Sequence, residues 1–134
     1  MSGYHIFDSS EINDTSEIRD EWKFSSPAEM PPDIFRFVND LDVNVDIKGY
    51  GTDLRDGGTH DRLNQLNIYP NTGVMGPPLF RSASEGVGGE SSSVTVASGD
   101  SESFYLARRW DATVVGIVPA AVPSSGDIKI IHME

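Results

Sequence analysis

Phe35-Arg36-Phe37-Val38-Asn39-Asp40-Leu41-Asp42-Val43-Asn44-Val45-Asp46-Ile47-Lys48 is the stretch whose reading decides the fold. Its odd positions, Phe35, Phe37, Asn39, Leu41, Val43, Val45 and Ile47, are apolar except for Asn39. Its even positions, Arg36 to Lys48, are polar except for Val38. A strand with one dry and one wet face needs this period of two, whereas a helix would scatter the same side chains around its circumference. The spacing predicts a strand over Phe35 to Ile47 whose core side is Phe35, Phe37, Leu41, Val43, Val45 and Ile47. On the wet side Asp40, Asp42, Asn44 and Asp46 stand about 7 Å apart, a row that repels itself in dilute buffer and is tolerated when salt screens it.

Towards the C-terminus the same grammar recurs. Val94–Ala97, Phe104–Ala107, Ala112–Val118 and Ile128–His132 read as four strands. The first two are joined by a Ser98-Gly99-Asp100 turn, and the last two by a Pro119 to Gly126 loop containing Pro123, Ser124 and Ser125. Short connections predict a meander. With a weaker strand near Leu79-Phe80 the count suits a mainly β fold, a single-domain β-sandwich or jelly-roll-like barrel over residues 34–134. Gly49 to Asn67 reads as a long polar connection and Pro70-Asn71-Thr72-Gly73 as a turn. The Ser/Gly/Glu/Ala run from Ser82 to Ser93 reads as an exposed segment, since it has little to bury.

Towards the N-terminus the pattern fades. Residues 1–33 show no sustained period, so they read as an extended arm or strap laid against something else. Pro27, Pro31 and Pro32 withhold backbone donors there. Asp14 followed by Glu17 could open one short helix over Thr15 to Trp22, with only Ile18 and Trp22 on its apolar side.

Charge narrows the partners. The 134 residues carry 21 Asp and Glu against 10 Lys and Arg, a net charge of −11. Nucleic acid is an unfavourable partner, because binding it needs a basic face and only Arg108 and Arg109 stand together. No apolar run approaches the roughly 18 residues of a membrane span, and the start lacks a basic segment followed by an apolar one, so a soluble chain without a cleaved leader is expected. Aspartate exceeds glutamate and only Lys23, Lys48 and Lys129 are lysines. That surplus suits concentrated salt, where the screening length falls to about 3 Å. Without cysteine there is no disulfide scaffold and no thiolate chemistry.

No residue pattern marks a reaction. Asp53, Asp56 and Asp61, with His60 and two glycines, hold the ingredients of a cation loop, yet their spacing does not match an EF-hand, and any solvated turn has the same composition. His5, His60 and His132 are scattered along the chain. Arg36 or Arg81 with Ser91-Ser92-Ser93 faintly resembles the arginine and Ser-Thr-Ser elements of ADP-ribosyltransferase toxins, but the glutamate motif those enzymes carry on a later strand is missing. There is no Gly-x-Ser-x-Gly elbow and no phosphate loop. Trp22 and Trp110 could stack on sugars, although a tryptophan at a strand end usually closes a core. The expectation is a protein without catalytic activity or cofactor.

One resemblance adds to this reading. Val94-Thr95-Val96-Ala97-Ser98-Gly99-Asp100, Phe104-Tyr105-Leu106, Trp110-Asp111, Val114 to Pro119 and Pro123 to Ile128 resemble the terminal β module of small structural proteins in tailed viruses of haloarchaea. The resemblance implies a virion component made in the host cytoplasm at high salt, most simply a capsid decoration or vertex accessory protein. A tail or baseplate component, or a receptor-binding module, is the alternative. Its implied partners are the capsid or tail lattice and copies of itself.

Overall fold

A computed structural model describes residues 3–28, 33–52, 63–66, 69–70, 93–106 and 110–133. Among these described residues ten strands follow in chain order: β1 (Tyr4–Asp8), β2 (Ile18–Ala28), β3 (Asp33–Asn39), β4 (Val45–Thr52), β5 (Leu63–Leu66), β6 (Tyr69–Pro70), β7 (Val94–Val96), β8 (Ser101–Leu106), β9 (Trp110–Pro119) and β10 (Asp127–Met133). They make two antiparallel sheets. The first has the order β1-β10-β3-β8-β6; the second has the order β2-β9-β4-β5, with β7 also paired to β4.

The wrap is that of a jelly roll. β1 pairs β10, β2 pairs β9, β3 pairs β8 and β4 pairs β7, so the first four strands and the last four lie back to back like a folded ribbon. β10 then sits between β1 and β3, and β9 between β2 and β4, which fuses the ribbon into two sheets. β5 extends β4 beyond β7, and β6 adds to the outside of β8. The expected meander does not form: β8, β9 and β10 each pair with earlier strands rather than with one another.

The decisive stretch is two strands, not one. β3 lies in the first sheet and β4 in the second, with a corner at residues 40–44 between them. Alternation survives the corner because both sheets turn the same parity towards one core. Phe35, Phe37, Leu41, Val45 and Ile47 are fully buried and Val43 is half-buried against them. Val115 and Ile117 of β9, Ile128 and Ile130 of β10, Val96 of β7 and Phe104 and Leu106 of β8 belong to the same core.

Asn39 is the polar exception on the dry side, and it is fully buried. Its Nδ2 donates to the carbonyls of Val43 at 3.0 Å and Val96 at 2.9 Å, while its Oδ1 accepts from the Leu41 amide at 3.1 Å. The side chain thereby ties the corner to β7. A buried amide is tolerated because its polar groups are met in this way.

The region expected as an arm is extended, but it is not separate. β1 and β2 each form one edge of a sheet, and Trp22 and Ile12 belong to the core. The helix expected over Thr15 to Trp22 is replaced by the start of β2. Ile18 and Trp22 are four apart, a spacing that places them on one face of either a helix or a strand, and pairing with β9 selects the strand. A capping box does form, but earlier: Asp8 and Glu11 cap a single 3-10 turn at Ser9–Glu11. β5 and β6 occupy part of what reads as a polar connection and turn. The Leu79-Phe80 strand and the Ser82 to Ser92 run lie outside the described residues.

Candidate interaction surface

Strand parity assigns each side chain to the core or to an outer face. On the first sheet the outward side chains are Tyr4, Ile6 and Asp8 of β1; Asp127, Lys129, Ile131 and Met133 of β10; Ile34, Arg36 and Val38 of β3; and Ser101, Ser103 and Tyr105 of β8. Register arranges them in rows across the sheet. Tyr4, Ile131, Arg36 and Ser103 form one, Ile6, Lys129, Val38 and Ser101 the next, and Met133, Ile34 and Tyr105 a third.

The apolar side chains of this face range from buried Tyr105, through half-buried Ile34, Val38 and Ile131, to three that front solvent. Tyr4 is 64% exposed, Ile6 43% and Met133 37%. Its charges near the middle are cations: Arg36 Nη2 donates to Ser101 Oγ at 2.7 Å, and Lys129 Nζ lies 5.7 Å from the centre of the Tyr4 ring. Both cations are held by neutral partners, so each keeps its charge available to an incoming anion. For a chain of net charge −11 this is an inverted patch, apolar and locally positive.

The outer face of the second sheet differs. There Glu17 gathers donors: Tyr50 Oη at 2.5 Å, Arg19 Nε at 2.8 Å and, more distantly, Lys48 Nζ at 3.9 Å. Burial acts to raise the Glu17 pKa, but the Tyr50 and Arg19 bonds and the two cations outweigh it and bring the value below normal. Burial first, and then the Glu17 carboxylate, push the Tyr50 phenol upward. Gly116 leaves the room this cluster needs, since a Cβ there would meet the Tyr50 ring and the Glu17 carboxylate. The charges around Glu17 satisfy one another, while Asp46 on the same face accepts from the Thr95 hydroxyl.

At the corner end, carboxylates collect. Asp8 faces Asp127 across the β1–β10 ladder, and the amide of Asp40 donates to the Asp127 carbonyl. Asp42 accepts from the Ser124 hydroxyl and amide and from the Ser125 amide, and these bonds lower its pKa, the Ser124 hydroxyl contributing most. Along the open side of the sandwich, between β1 and β2, His5 stacks on Trp22 with ring centroids 3.7 Å apart. Asp20 receives His5 Nδ1 at 2.9 Å and Trp22 Nε1 at 2.8 Å. Trp22 is buried and closes the core, with Phe35 edge-on to it, so its face is not open to a sugar.

Among the described residues, those singled out from sequence for chemistry do not gather in one site. Arg36 belongs to the apolar face, while Arg81, Ser91 and Ser92 lie outside the described residues, as do Asp53, Asp56, His60 and Asp61. Trp110 begins β9, and its side chain is likewise outside the description. His5 and His132 both approach Trp22, yet among the described residues no three His, Asp or Glu side chains gather as a metal site. No helix among the described residues is long and apolar enough to cross a membrane.

Sequence reasoning missed the apolar face, although a signal for it exists. Tyr4-His5-Ile6-Phe7 and Ile128-Lys129-Ile130-Ile131-His132-Met133 carry apolar residues on both parities, the mark of strands that offer both faces to something. No family model, curated protein or solved structure matches the chain.

Proposed function

We propose that this chain is a virion structural protein of a haloarchaeal tailed virus, a capsid decoration or vertex accessory protein that docks through the outer face of its first sheet. The fold alone does not decide this, because jelly rolls serve capsids, lectins and enzymes alike. The observation that carries the reading is the contrast between the two outer faces. One neutralises its own charges around Glu17; the other leaves Tyr4, Ile6 and Met133 exposed, with half-buried Ile131 between them, around Lys129 and Arg36. At molar salt, surface ion pairs are screened and apolar contact is strengthened, so an apolar face with a few cations is a suitable adhesive towards an acidic lattice protein adapted to the same solvent.

Purified virus particles test this. Banded on a density gradient, they should contain the chain in a fixed ratio to the major capsid protein, and gold-labelled antibody should decorate heads. Labelling confined to tails would move the protein to the tail, and recovery only in the particle-free fraction would overturn the virion reading. Ile131→Lys should keep the melting temperature within a few degrees and lower occupancy on the particle.

A further inference from the structure

Among the described strands, those at the sheet edges protect themselves unequally. β2 carries Arg19, Asp20, Glu21 and Lys23, contains Pro27, and breaks register between Lys23 and Ala28. β5, β6 and β7, at the other open edges, are four, two and three residues long, and β6 includes Pro70. Charge, proline, bulges and brevity are the devices that stop a sheet edge from recruiting another strand. β1, Tyr-His-Ile-Phe-Asp, has no lysine, proline or bulge.

The backbone of β1 can be followed group by group. His132 N donates to Gly3 O at 2.9 Å and Ser9 N to Gly126 O at 3.0 Å, so the odd residues are the hydrogen-bonded positions of the β1–β10 ladder. In an antiparallel pair the intervening residues aim their amides and carbonyls the other way. Tyr4, Ile6 and Asp8 therefore point these groups at the open edge. The Asp8 amide is already taken by Glu11 Oε1 at 3.2 Å and its carbonyl is the first acceptor of the 3-10 turn, which leaves the amide and carbonyl of Tyr4 and of Ile6.

We infer that β1 pairs with β1 of a second copy of this chain, antiparallel about a two-fold axis at His5, joining two first sheets into one continuous sheet. In that register Tyr4 lies opposite Ile6 of the other copy, and the reverse, so all four remaining backbone groups are satisfied by four hydrogen bonds. Shifting the axis to Ile6 would set Tyr4 against Asp8, whose amide is occupied, and leave the Tyr4 carbonyl unpaired. Side chains agree with the backbone. Tyr4 and Ile6 both point outward, so each ring packs on an isoleucine across the seam and the row Ile131, Tyr4 runs on into Ile6 and Lys129 of the second copy. The two His5 residues meet as a non-hydrogen-bonded pair, with Cα atoms about 4.5 Å apart. A seam about 17 Å long is short of the area of a permanent dimer, so pairing depends on concentration and is completed when a lattice holds copies side by side. The inference deepens the assembly reading by naming the self-contact, and rests on that reading only for its biological use.

The intact chain at high salt tests it. Sedimentation should pass from monomer to dimer between roughly 10 μM and 1 mM, a range set by the small seam. Over the same range amide exchange should slow at Tyr4 and Ile6 and stay unchanged at His5 and Phe7, which are already bonded to β10. Ile6→Lys should abolish both changes while leaving the melting temperature near that of the parent. Because the chain has no cysteine, His5→Cys should give a disulfide-linked dimer on mild oxidation, and adding Ile6→Lys should prevent it. A chain monomeric at 1 mM, or exchange at Tyr4 and Ile6 indifferent to concentration, overturns the pairing even if the protein is found in particles. A dimer with these signatures in a protein absent from particles overturns the virion reading and leaves the pairing standing.

Discussion

Replacing Asn39 with alanine removes one side chain from the end of β3 and strands three backbone groups. The Val96 carbonyl and the Leu41 amide lose partners in the buried interior, and the Val43 carbonyl loses one in a partly buried position. Each orphaned buried group costs about 1–3 kcal/mol, with the semi-exposed one at the low end, so the loss is about 4 kcal/mol. For a domain of this size that lowers the melting temperature by roughly 15 °C. The main-chain bonds of Asn39, to the Asp100 carbonyl at 2.9 Å and from the Gly99 amide at 2.7 Å, are retained in the variant, so the effect isolates the side chain. Asn39→Asp should be worse than alanine, because a carboxylate oxygen would replace the donor facing two carbonyls. Thermal and urea unfolding followed by circular dichroism, at one fixed salt concentration, provide the assay. A loss below about 1 kcal/mol for Asn39→Ala, or an aspartate variant as stable as the parent, would refute the account of the corner.

Gly126 has φ +88° and a Cβ there would collide with the Asp40 carbonyl, whereas Gly99 has φ +83° and open space around it. Gly99→Ala should cost about 1 kcal/mol and Gly126→Ala at least twice that, and equal losses in urea titration would contradict the packing. Val45→Asp, at a fully buried site, should abolish cooperative unfolding, while Val43→Asp, at the half-buried corner, should leave a destabilised but folded protein by the same optical measurement. Asp42 and Glu17 titrate below their free values, so their contribution is complete above the ordinary carboxylate range and disappears as pH falls through the lower folded values. Asp42→Asn should flatten the acid limb of a stability–pH curve. Tyr50 is shifted the other way, so its contribution fades as pH rises through its folded value above 10.0. With Asp8 facing Asp127, the melting temperature should climb with salt into the molar range, and a flat curve would remove the halophilic expectation.

Much of the architecture can be read from side-chain parity, because parity reports the core and both sheets share one. Phe35 to Ile47 shows the core positions correctly yet conceals the corner at 40–44, since crossing between sheets without losing parity leaves no trace in an alternating pattern. Pairing partners are equally hidden: nothing in β8, β9 or β10 indicates that each pairs with strands far earlier in the chain. β1 and β2 escape notice for a different reason. Ile18 and Trp22 fit a helix and a strand alike, and in β1 both parities are apolar, so no periodicity distinguishes the dry side. That same doubled apolarity is what marks the candidate surface. The inventory of ionisable residues directs attention to Asp53, Asp56 and Asp61, which lie outside the described residues, rather than to Tyr4, Ile6 and Ile131.

The ribbon wrap also governs how the protein comes into being. The partners of β1, β2 and β3 begin no earlier than Ser101, so a nascent chain leaving the ribosome carries all three before any strand that pairs with them has been made. Loop closure over such separations is slow, on the scale of milliseconds to seconds, and offers little local structure to guide it. Until β10 arrives, Tyr4-His5-Ile6-Phe7 is an apolar segment without a sheet to join, and synthesis in a crowded cell exposes it to the strands of neighbouring unfinished chains.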